Sequence, residues 1–249
     1  MRGSASRNGI FTTPASGQRS ARFTRLACVL VALLLGLAIS YDSAYSSTPG
    51  KPIALTFDDG SHEYCTTQIL DALDRIDGKA TFFITGYRLE SENNADILRR
   101  MAAAGHQIGN HRYTHKVHSP QMSDEDFKEE LIKTNEAIRK VTGTTPTDFR
   151  FPWGDATLGK KKIVRELGMT TCGWNSSIND GGDYSTPSEE KTTIYLNRIL
   201  KQARPHSVML LHDAQNTHNS AAALGIALDQ LTQQGYIFVT LDELQALRR

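Results

Sequence analysis

The chain is poor in cysteine, has almost no net charge and lacks an apolar run long enough to span a membrane. It has three cysteines, and its 28 basic and 27 acidic side chains leave a net charge of +1. This balance argues against nucleic acid as the main partner, because phosphate binding needs clustered lysine and arginine. The uncharged apolar run at residues 26–39 has 14 residues, whereas a spanning helix needs roughly 20. The 39% hydrophobic content is too high for disorder and too low for a polytopic membrane protein.

The first 46 residues differ in charge from the rest of the chain. They hold five arginines and one aspartate, so the remainder has 23 basic and 26 acidic residues, a net charge of −3. Arginines directly precede the apolar run and small residues follow it. This arrangement predicts an export signal over residues 1–46, with an uncleaved signal-anchor and a buried helix as the alternatives. We therefore expect a protein that is secreted, periplasmic or anchored on the outer side of the cytoplasmic membrane, with a polar linker at residues 47–50.

Two cysteines remain beyond that segment. Cys65 and Cys172 could form a disulfide in an oxidising compartment. Their wide separation in the sequence is weak evidence for pairing, so two separate buried thiols is the open alternative.

Residues 51–249 alternate between strand and helix patterns. Strands are predicted at 51–57, 79–85, 107–109, 148–151, 170–174, 207–211 and 236–240, and helices at 66–76, 96–104, 123–141, 160–167, 192–203, 221–234 and 241–247. Such alternation implies a parallel sheet with helices packed outside it. We predict an α/β fold, a distorted (β/α) barrel of about seven parallel strands that forms a single domain.

Residues capable of chemistry follow several of these strands at their carboxyl ends. They are Asp58-Asp59, His111, Arg150, Trp174 and His212-Asp213. In a (β/α) barrel the loops at those ends build the active site, whereas an open doubly wound sheet would have its site at one crevice. Polar residues after so many strands favour the barrel.

Asp58, Asp59 and a histidine pair are candidates for a metal site. Adjacent carboxylates repel each other, so a metal or an arginine should offset them, although Asp-Gly is also a common solvated turn. His111 and His115 form an HxxxH pair, and on a helix this spacing puts both imidazoles on one face. Two histidines and one aspartate would leave open positions for water and substrate. His118 is interpreted as a surface residue.

Two further segments each allow a functional and a structural interpretation. Arg150 could hold a carboxylate in its ionised form, and Trp153 would offer an aromatic face to a sugar. The alternative is a buried structural turn. His212 ends a very apolar strand, where it is either a core histidine or a general acid whose pKa a neighbouring carboxylate sets.

Taken together and in this order, these segments resemble one known family. The stretches are TFDDG at 56–60, KATFFITG at 79–86, GHQIGNHRYTH at 105–115, FRFPWG at 149–154, LLHD at 210–213 and GYIFVTLDEL at 235–244. They resemble the polysaccharide deacetylases, carbohydrate esterase family four, also called the NodB-homology domain. The resemblance runs from about Lys51 to Leu247, so it covers the expected catalytic domain at residues 51–249.

The resemblance implies a metal-dependent hydrolase that removes acetyl groups from glycans. By similarity, Asp59, His111 and His115 hold one divalent metal ion. Zinc is the expected ion, with cobalt, manganese or nickel as alternatives. Asp58 matches the general base that takes a proton from water.

The remaining roles also come from the resemblance. Arg150 matches the arginine that orients the base, and His212 matches the acid that protonates the leaving amine. Leu210 matches the residue lining the pocket for the acetyl methyl, and a backbone N–H near Trp153 would stabilise the oxyanion.

One segment departs from the pattern W-x-x-D-x-x-D-W that the family often shows. From Trp174 onward, Ser177 replaces the first Asp, Asp180 keeps the second, and Gly181 replaces the final Trp. By similarity, Asp180 tunes the acid His212. The loss of the aromatic residue should open this side of the cleft, which affects the expected substrate preference more than the expected activity.

The expected function is deacetylation of an N-acetylglucosamine-containing polysaccharide, either peptidoglycan or a chitin-like polymer, so the expected partner is an acetylated polysaccharide. One alternative is an acetyl-ester hydrolase acting on acetylated xylan. Another is a catalytically silent glycan-binding module, which the altered segment at Ser177 and Gly181 motivates.

Overall fold

A computed structural model of the chain describes residues 50–182 and 185–248. The export or anchor segment predicted at residues 1–46 lies outside these residues. No helix in the described ranges is both long and apolar enough to cross a membrane.

A single parallel sheet forms the centre of the fold. Its strands are β1 (Lys51–Asp58), β2 (Thr81–Ile84), β3 (Gln107–Asn110), β4 (Asp148–Phe149), β5 (Thr170–Thr171), β6 (Ser176–Ser177), β7 (Val208–His212) and β8 (Tyr236–Val239). They follow the order β5-β4-β3-β2-β1-β7-β6, and β8 pairs with the first half of β1. The described part of the chain shows no pairing between β5 and β6, so the barrel is open on that side. The predicted parallel, distorted barrel is confirmed.

Helices connect most of these strands. They are α1 (Cys65–Asp74), α2 (Glu92–Ala103), α3 (Asp124–Thr142), α4 (Leu158–Glu166), α5 (Glu189–Gln202), α6 (His218–Gln233) and α7 (Leu241–Ala246). The longest, α3, begins after Ser123, whose hydroxyl accepts a hydrogen bond from the backbone N–H of Asp126. It ends at Gly143, which has a φ of 77°, a left-handed conformation that glycine adopts without steric cost.

Strand β1 is buried on both faces, which is typical of the centre of a parallel sheet. Because side chains alternate along a strand, Ile53, Leu55 and Phe57 pack into the largest apolar core. Phe57 stacks on Phe82 of β2 with ring centroids 4.9 Å apart. Thr56, on the opposite face, bonds to polar groups instead. The same strand thus anchors the core and contributes to the site.

The observed elements differ from the predicted ones mainly at edges and helix starts. Strand β6 was not predicted, since two serines carry no apolar signal, and the predicted strand at 170–174 ends at Thr171. Helix α2 begins at Glu92 rather than at residue 96, because its polar first turn adds nothing to the apolar periodicity.

Cys65 and Cys172 are two separate buried thiols. The Sγ of Cys65 lies 3.6 Å from Nδ1 of His218, and the Sγ of Cys172 lies 3.0 Å from Oδ1 of Asp148. Of the two interpretations left open by the sequence, the unpaired one matches the structure.

Candidate active site

The candidate residues lie at one edge of the sheet, where the carboxyl ends of the parallel strands meet. Asp58 ends β1 and His212 ends β7, and these two residues are register partners on neighbouring strands. His111 directly follows β3 and Arg150 directly follows β4. Topology therefore brings together residues up to about 150 positions apart.

Asp58 is held by a buried arginine. Arg150 is fully buried, and its Nη1 donates to Oδ1 of Asp58 at 2.9 Å and to the hydroxyl of Thr56 at 2.8 Å. Its other nitrogens donate to the backbone carbonyls of Cys172 and Gly173. A buried guanidinium needs such a full set of acceptors. Because it is fixed from several directions, Arg150 holds the Asp58 carboxylate in one orientation.

Asp59, His111 and His115 form a compact group of potential metal ligands. Oδ1 of Asp59 lies 3.5 Å from Nε2 of each histidine. Tetrahedral zinc with bonds of about 2.1 Å separates its ligand atoms by about 3.4 Å. Oδ1 of Asp59 is also buried with no hydrogen-bond partner, a costly state for a carboxylate oxygen unless a cation binds it. The three residues therefore fit a divalent ion.

The ring nitrogens of His111 and His115 also suit metal binding. Nδ1 of His111 lies 2.9 Å from the carbonyl oxygen of Arg150, which can only accept, so Nδ1 is the donor and Nε2 is the nitrogen that faces Asp59. Burial lowers the pKa of His115, with the charge of Asp59 acting in the opposite direction. Lowering that pKa favours the neutral imidazole that metals bind.

The helical interpretation of the HxxxH pair is wrong. Residues 111–118 form a loop, and the two rings converge because the chain turns at Arg112, whose φ is 67°. The Oδ1 of Asn110 accepts the backbone N–H of Arg112 at 2.7 Å, and Arg112 forms a buried ion pair with Glu130 at 3.0 Å. Asn110, Arg112 and Glu130 thus hold the loop, and no feature of the sequence pattern singled them out.

Adjacent residues of a strand normally point to opposite faces, yet Asp58 and Asp59 both face the site. The reason is the left-handed φ of 77° at Asp59, which turns the chain directly after β1. Aspartate tolerates this conformation better than most residues.

Asp180 holds His212 in position beside Asp58. Oδ1 of Asp180 lies 2.9 Å from Nδ1 of His212, and Oδ2 accepts the backbone N–H of His212 at 3.1 Å. Burial opposes the imidazolium, but the hydrogen bond and charge of Asp180, with the charges of Asp58 and Asp59, raise the pKa of His212 to about 9. The ring is therefore protonated at neutral pH, with Nδ1 occupied and Nε2 as its other donor.

Gly181 lies directly against this imidazole. A Cβ added at position 181 would lie 2.7 Å from Cε1 of His212 and 2.9 Å from Nε2, closer than side-chain atoms approach one another. The expectation that Gly181 simply opens the cleft is therefore incomplete, because its backbone itself packs on the ring.

Asp213 was noted in the sequence without a role. It is fully buried, and its Oδ2 accepts the hydroxyl of Thr66 at 2.8 Å. Burial raises its pKa to about 7, helped by the charges of Asp59 and Asp58 and opposed by Thr66. It packs on Gly60, where an added Cβ would lie 2.0 Å from Oδ2. It therefore supports the turn after Asp59.

The two predicted substrate-binding residues differ in exposure: Trp153 is half-exposed and Leu210 is buried. Trp153 is 48% exposed, and its ring lies 4.0 Å from the ring centroid of His115 and stacks on His118 at 4.1 Å. His118 is exposed as expected, but it also bonds to Asp155 at 2.7 Å. Leu210 is buried in β7, two residues before His212 and so on the same face of the strand.

Two clefts flank this group of residues. One, of about 630 Å³, lies next to Arg150 and is bordered by Trp153, Trp174, Lys161 and Arg165. The other, of about 600 Å³, includes Asp59 and has Arg88, Gln215, Asn216 and His218 in its wall. Both volumes are in the usual range for small-ligand sites.

Comparison with known proteins identifies the family. The family model described as "Polysaccharide deacetylase" matches residues 45–172. The chain belongs to the polysaccharide deacetylase family. This finding confirms the resemblance drawn from the sequence motifs.

Characterised members of the polysaccharide deacetylase family give the match more detail. The chain is 34% identical over 194 residues to the peptidoglycan-N-acetylglucosamine deacetylase PgdA of Listeria monocytogenes. That match covers 78% of this chain but only 39% of the Listeria protein, so the chain spans well under half the length of this relative.

Solved structures of two deacetylases share the fold. Peptidoglycan deacetylase PdaC from Bacillus subtilis matches with a TM-score of 0.70 and 32% identity, over 82% of this chain and 94% of the PdaC chain. A family 4 acetyl xylan esterase from Clostridium thermocellum, solved with a cobalt ion, matches with a TM-score of 0.70 and 34% identity, over 79% of this chain and 91% of the other.

Proposed function

We propose that this protein is a metal-dependent hydrolase that removes acetyl groups from N-acetylglucosamine-containing polysaccharide, either peptidoglycan or a chitin-like polymer. The observation that carries the proposal is that the Asp59–His111–His115 group lies at the same edge of the sheet as two ion pairs of opposite use. Arg150 fixes the carboxylate of Asp58 on one side, and Asp180 fixes the imidazole of His212 on the other.

Asp59, His111 and His115 are the residues that would hold the metal. Two histidines and a carboxylate suit zinc, with cobalt, manganese or nickel as alternatives. When bound, such an ion lowers the pKa of water and polarises the acetyl carbonyl. The similarity to an acetyl xylan esterase solved with cobalt supports a metal at this position.

Asp58 acts as the general base. As a water oxygen attacks the carbonyl carbon of the acetyl group, Asp58 accepts one of the water protons. Arg150 orients Asp58, since its donor at 2.9 Å occupies Oδ1. Oδ2 then remains for the water.

His212 acts as the general acid. When the carbon–nitrogen bond breaks, Nε2 of His212 gives its proton to the leaving nitrogen, so the products are acetate and a free amine. Asp180 positions His212 and keeps it protonated through the bond to Nδ1. A backbone N–H near Trp153 stabilises the oxyanion, and Leu210 lines the space for the acetyl methyl.

The names of the relatives support the proposed substrate and location. Curated relatives are named for deacetylation of peptidoglycan, which supports a cell-wall glycan as substrate. Action there requires export, in agreement with the predicted signal or anchor at residues 1–46, the linker at 47–50 and a catalytic domain at 51–249. A second candidate function is acetyl-ester hydrolysis on xylan, because an acetyl xylan esterase matches with 34% identity.

Acetate release by the purified full chain tests the proposal. The substrates are N-acetylglucosamine oligomers, peptidoglycan strands and acetylated xylan, each with and without a chelator. We expect chelator-sensitive release from the first two. Release from acetylated xylan alone would favour the second candidate, and binding without release from any substrate would favour a silent glycan-binding module.

A further inference from the structure

The cleft that includes Asp59 has an arginine in its wall that the proposed mechanism does not use. This polar cleft is lined by Asp59, Arg88, Thr186, Gln215, Asn216 and His218, and has a volume of about 600 Å³. Because Asp59 belongs to both the cleft and the metal-ligand group, a ligand in the cleft lies directly beside the reacting acetyl group. Asp59 is the one acid among the described residues of the lining.

The backbone around Arg88 is fixed. Arg88 lies in the short 3-10 helix Gly86–Glu90 that follows β2. Its N–H donates to the carbonyl of Thr85 at 3.0 Å, and its own carbonyl accepts from Nδ2 of Asn94 at 3.0 Å. The guanidinium stands over the ring of Tyr87, with Cζ 5.1 Å from the centroid. The side chain is therefore held in place at its base.

Apart from the Tyr87 ring, the guanidinium has no hydrogen-bond or ion-pair partner among the described residues. Its Nε is buried with no hydrogen bond, and within residues 50–182 and 185–248 no acid forms an ion pair with it. Other arginines of the site are paired, Arg150 with Asp58 at 2.9 Å and Arg112 with Glu130 at 3.0 Å. A buried, unpaired donor is costly, so this arginine is poised for an acceptor that the described residues do not supply.

The rest of the wall restricts the kind of acceptor. Thr186, Gln215 and Asn216 are neutral side chains that hydrogen-bond to hydroxyl groups, as a pyranose ring requires. Apart from Asp59, which belongs to the metal-ligand group, a polar wall with one free guanidinium matches a sugar that carries a single carboxylate.

We propose that Arg88 binds the carboxylate of an acidic sugar adjacent to the N-acetylated sugar that loses its acetyl group. The carboxylate of a lactyl ether on an alternating N-acetylhexosamine strand has this chemistry. The inference rests on the proposed function, and it deepens it by selecting an anionic glycan over a neutral one. It also gives the weakly charged chain, at +1 overall, a local contact for an anionic polymer.

The test compares three forms of the full chain on matched substrates. The forms are wild type, Arg88→Gln and the control Arg139→Gln, which changes an exposed arginine on α3. The substrates are alternating N-acetylglucosamine–N-acetylmuramic acid strands with free lactyl carboxylates, the same strands as carboxamides, strands with stem peptides, and neutral N-acetylglucosamine oligomers.

We expect Arg88→Gln to lower kcat/KM on the free-carboxylate strands by about 10-fold to 100-fold, mainly through KM, since a charge-assisted contact is lost. Carboxamide strands and neutral oligomers should change less than about twofold. Arg139→Gln should match the wild type on every substrate, and Arg88→Lys should restore part of the loss because the charge returns.

Equal losses on charged and neutral substrates would overturn the inference, because Arg88 would then support the site in general. A loss confined to peptide-bearing strands would also overturn it, since the carboxylate would belong to the stem peptide. Calorimetric binding of the carboxylate and carboxamide strands separates this inference from the proposed function. A wild type that binds the carboxylate form more tightly, by an amount that Arg88→Gln removes, supports it even if no acetate is released; equal binding of both forms refutes it.

Discussion

The candidate site has two halves, one around the proposed base Asp58 and one around the proposed acid His212. Each half contains one ion pair, and the two pairs serve opposite purposes. In the base half, Arg150 is fully buried and Asp58 is the group that faces the reaction; in the acid half, Asp180 is fully buried and His212 faces it. The side chains of the two orienting residues are each 0% exposed, whereas Asp58 is 5% and His212 is 19% exposed. The buried partner orients the group that faces the cleft, which suits the base role proposed for Asp58 and the acid role proposed for His212.

The largest expected effect comes from removing a candidate metal ligand that belongs to neither of the two ion pairs. His111→Ala takes away an Nε2 that lies 3.5 Å from Asp59, so the metal and the activity should both be lost, with a fall in kcat of about 10³-fold or more. Metal content per chain and acetate release measure this. His118→Ala is the matched control for metal content and should keep a full complement; loss in both variants would assign the metal to a different set.

Asp58→Asn tests the base half. The amide keeps the size of the side chain but cannot take a proton, so kcat should fall by about 10² to 10⁴-fold. Metal content should stay near that of the wild type, because Asp58 is not in the ligand group. If metal falls as it does in His111→Ala, Asp58 is a ligand and the base role is contradicted.

Asp180→Asn tests the acid half. His212 must be protonated to act, so activity should fall as pH rises through its pKa, which Asp180 helps to raise to about 9. Without that carboxylate the pKa falls, the alkaline limb of the kcat profile moves to lower pH, and activity near pH 8 should drop by about 10-fold to 100-fold. An unchanged alkaline limb would mean that another group sets it.

Gly181→Ala should have the smallest effect. The new Cβ would lie 2.7 Å from the His212 ring, so the ring must shift, and kcat should fall by about tenfold or less with metal content unchanged. Gly159→Ala, on α4 with open space around it, is the control for glycine replacement and should leave kcat unaltered. Equal kcat in both variants would show that the acid tolerates displacement.

Much of this organisation could be predicted from the sequence. Apolar runs separated by amphipathic stretches gave strand and helix positions that agree with the structure to within a few residues for the longer elements, such as α3. Strand β6, one of three strands with two residues, could not be predicted because Ser176 and Ser177 are held by pairing with β7 rather than by their own propensity.

The chemistry of the site was predicted by residue type, but its geometry was not. Asp59, Arg112, Trp153 and Asn179 all have positive φ, and they account for four of the six such non-glycine residues in the described chain. Each lies in or beside a segment of the site. Such conformations are unfavourable locally and persist only where surrounding contacts impose them, so no local pattern indicates them.

The sequence by itself determined the fold class, the family and the identity of the polar residues at the strand ends, because periodicity and residue type are properties of the chain. The tertiary structure alone decided that His111 and His115 converge through a loop, that Gly181 packs on His212, and that Arg88 lines the same cleft as Asp59 with no ion-pair partner among the described residues. These are relations between segments distant in sequence. Backbone turns and burial set them, and both depend on how the whole sheet is assembled.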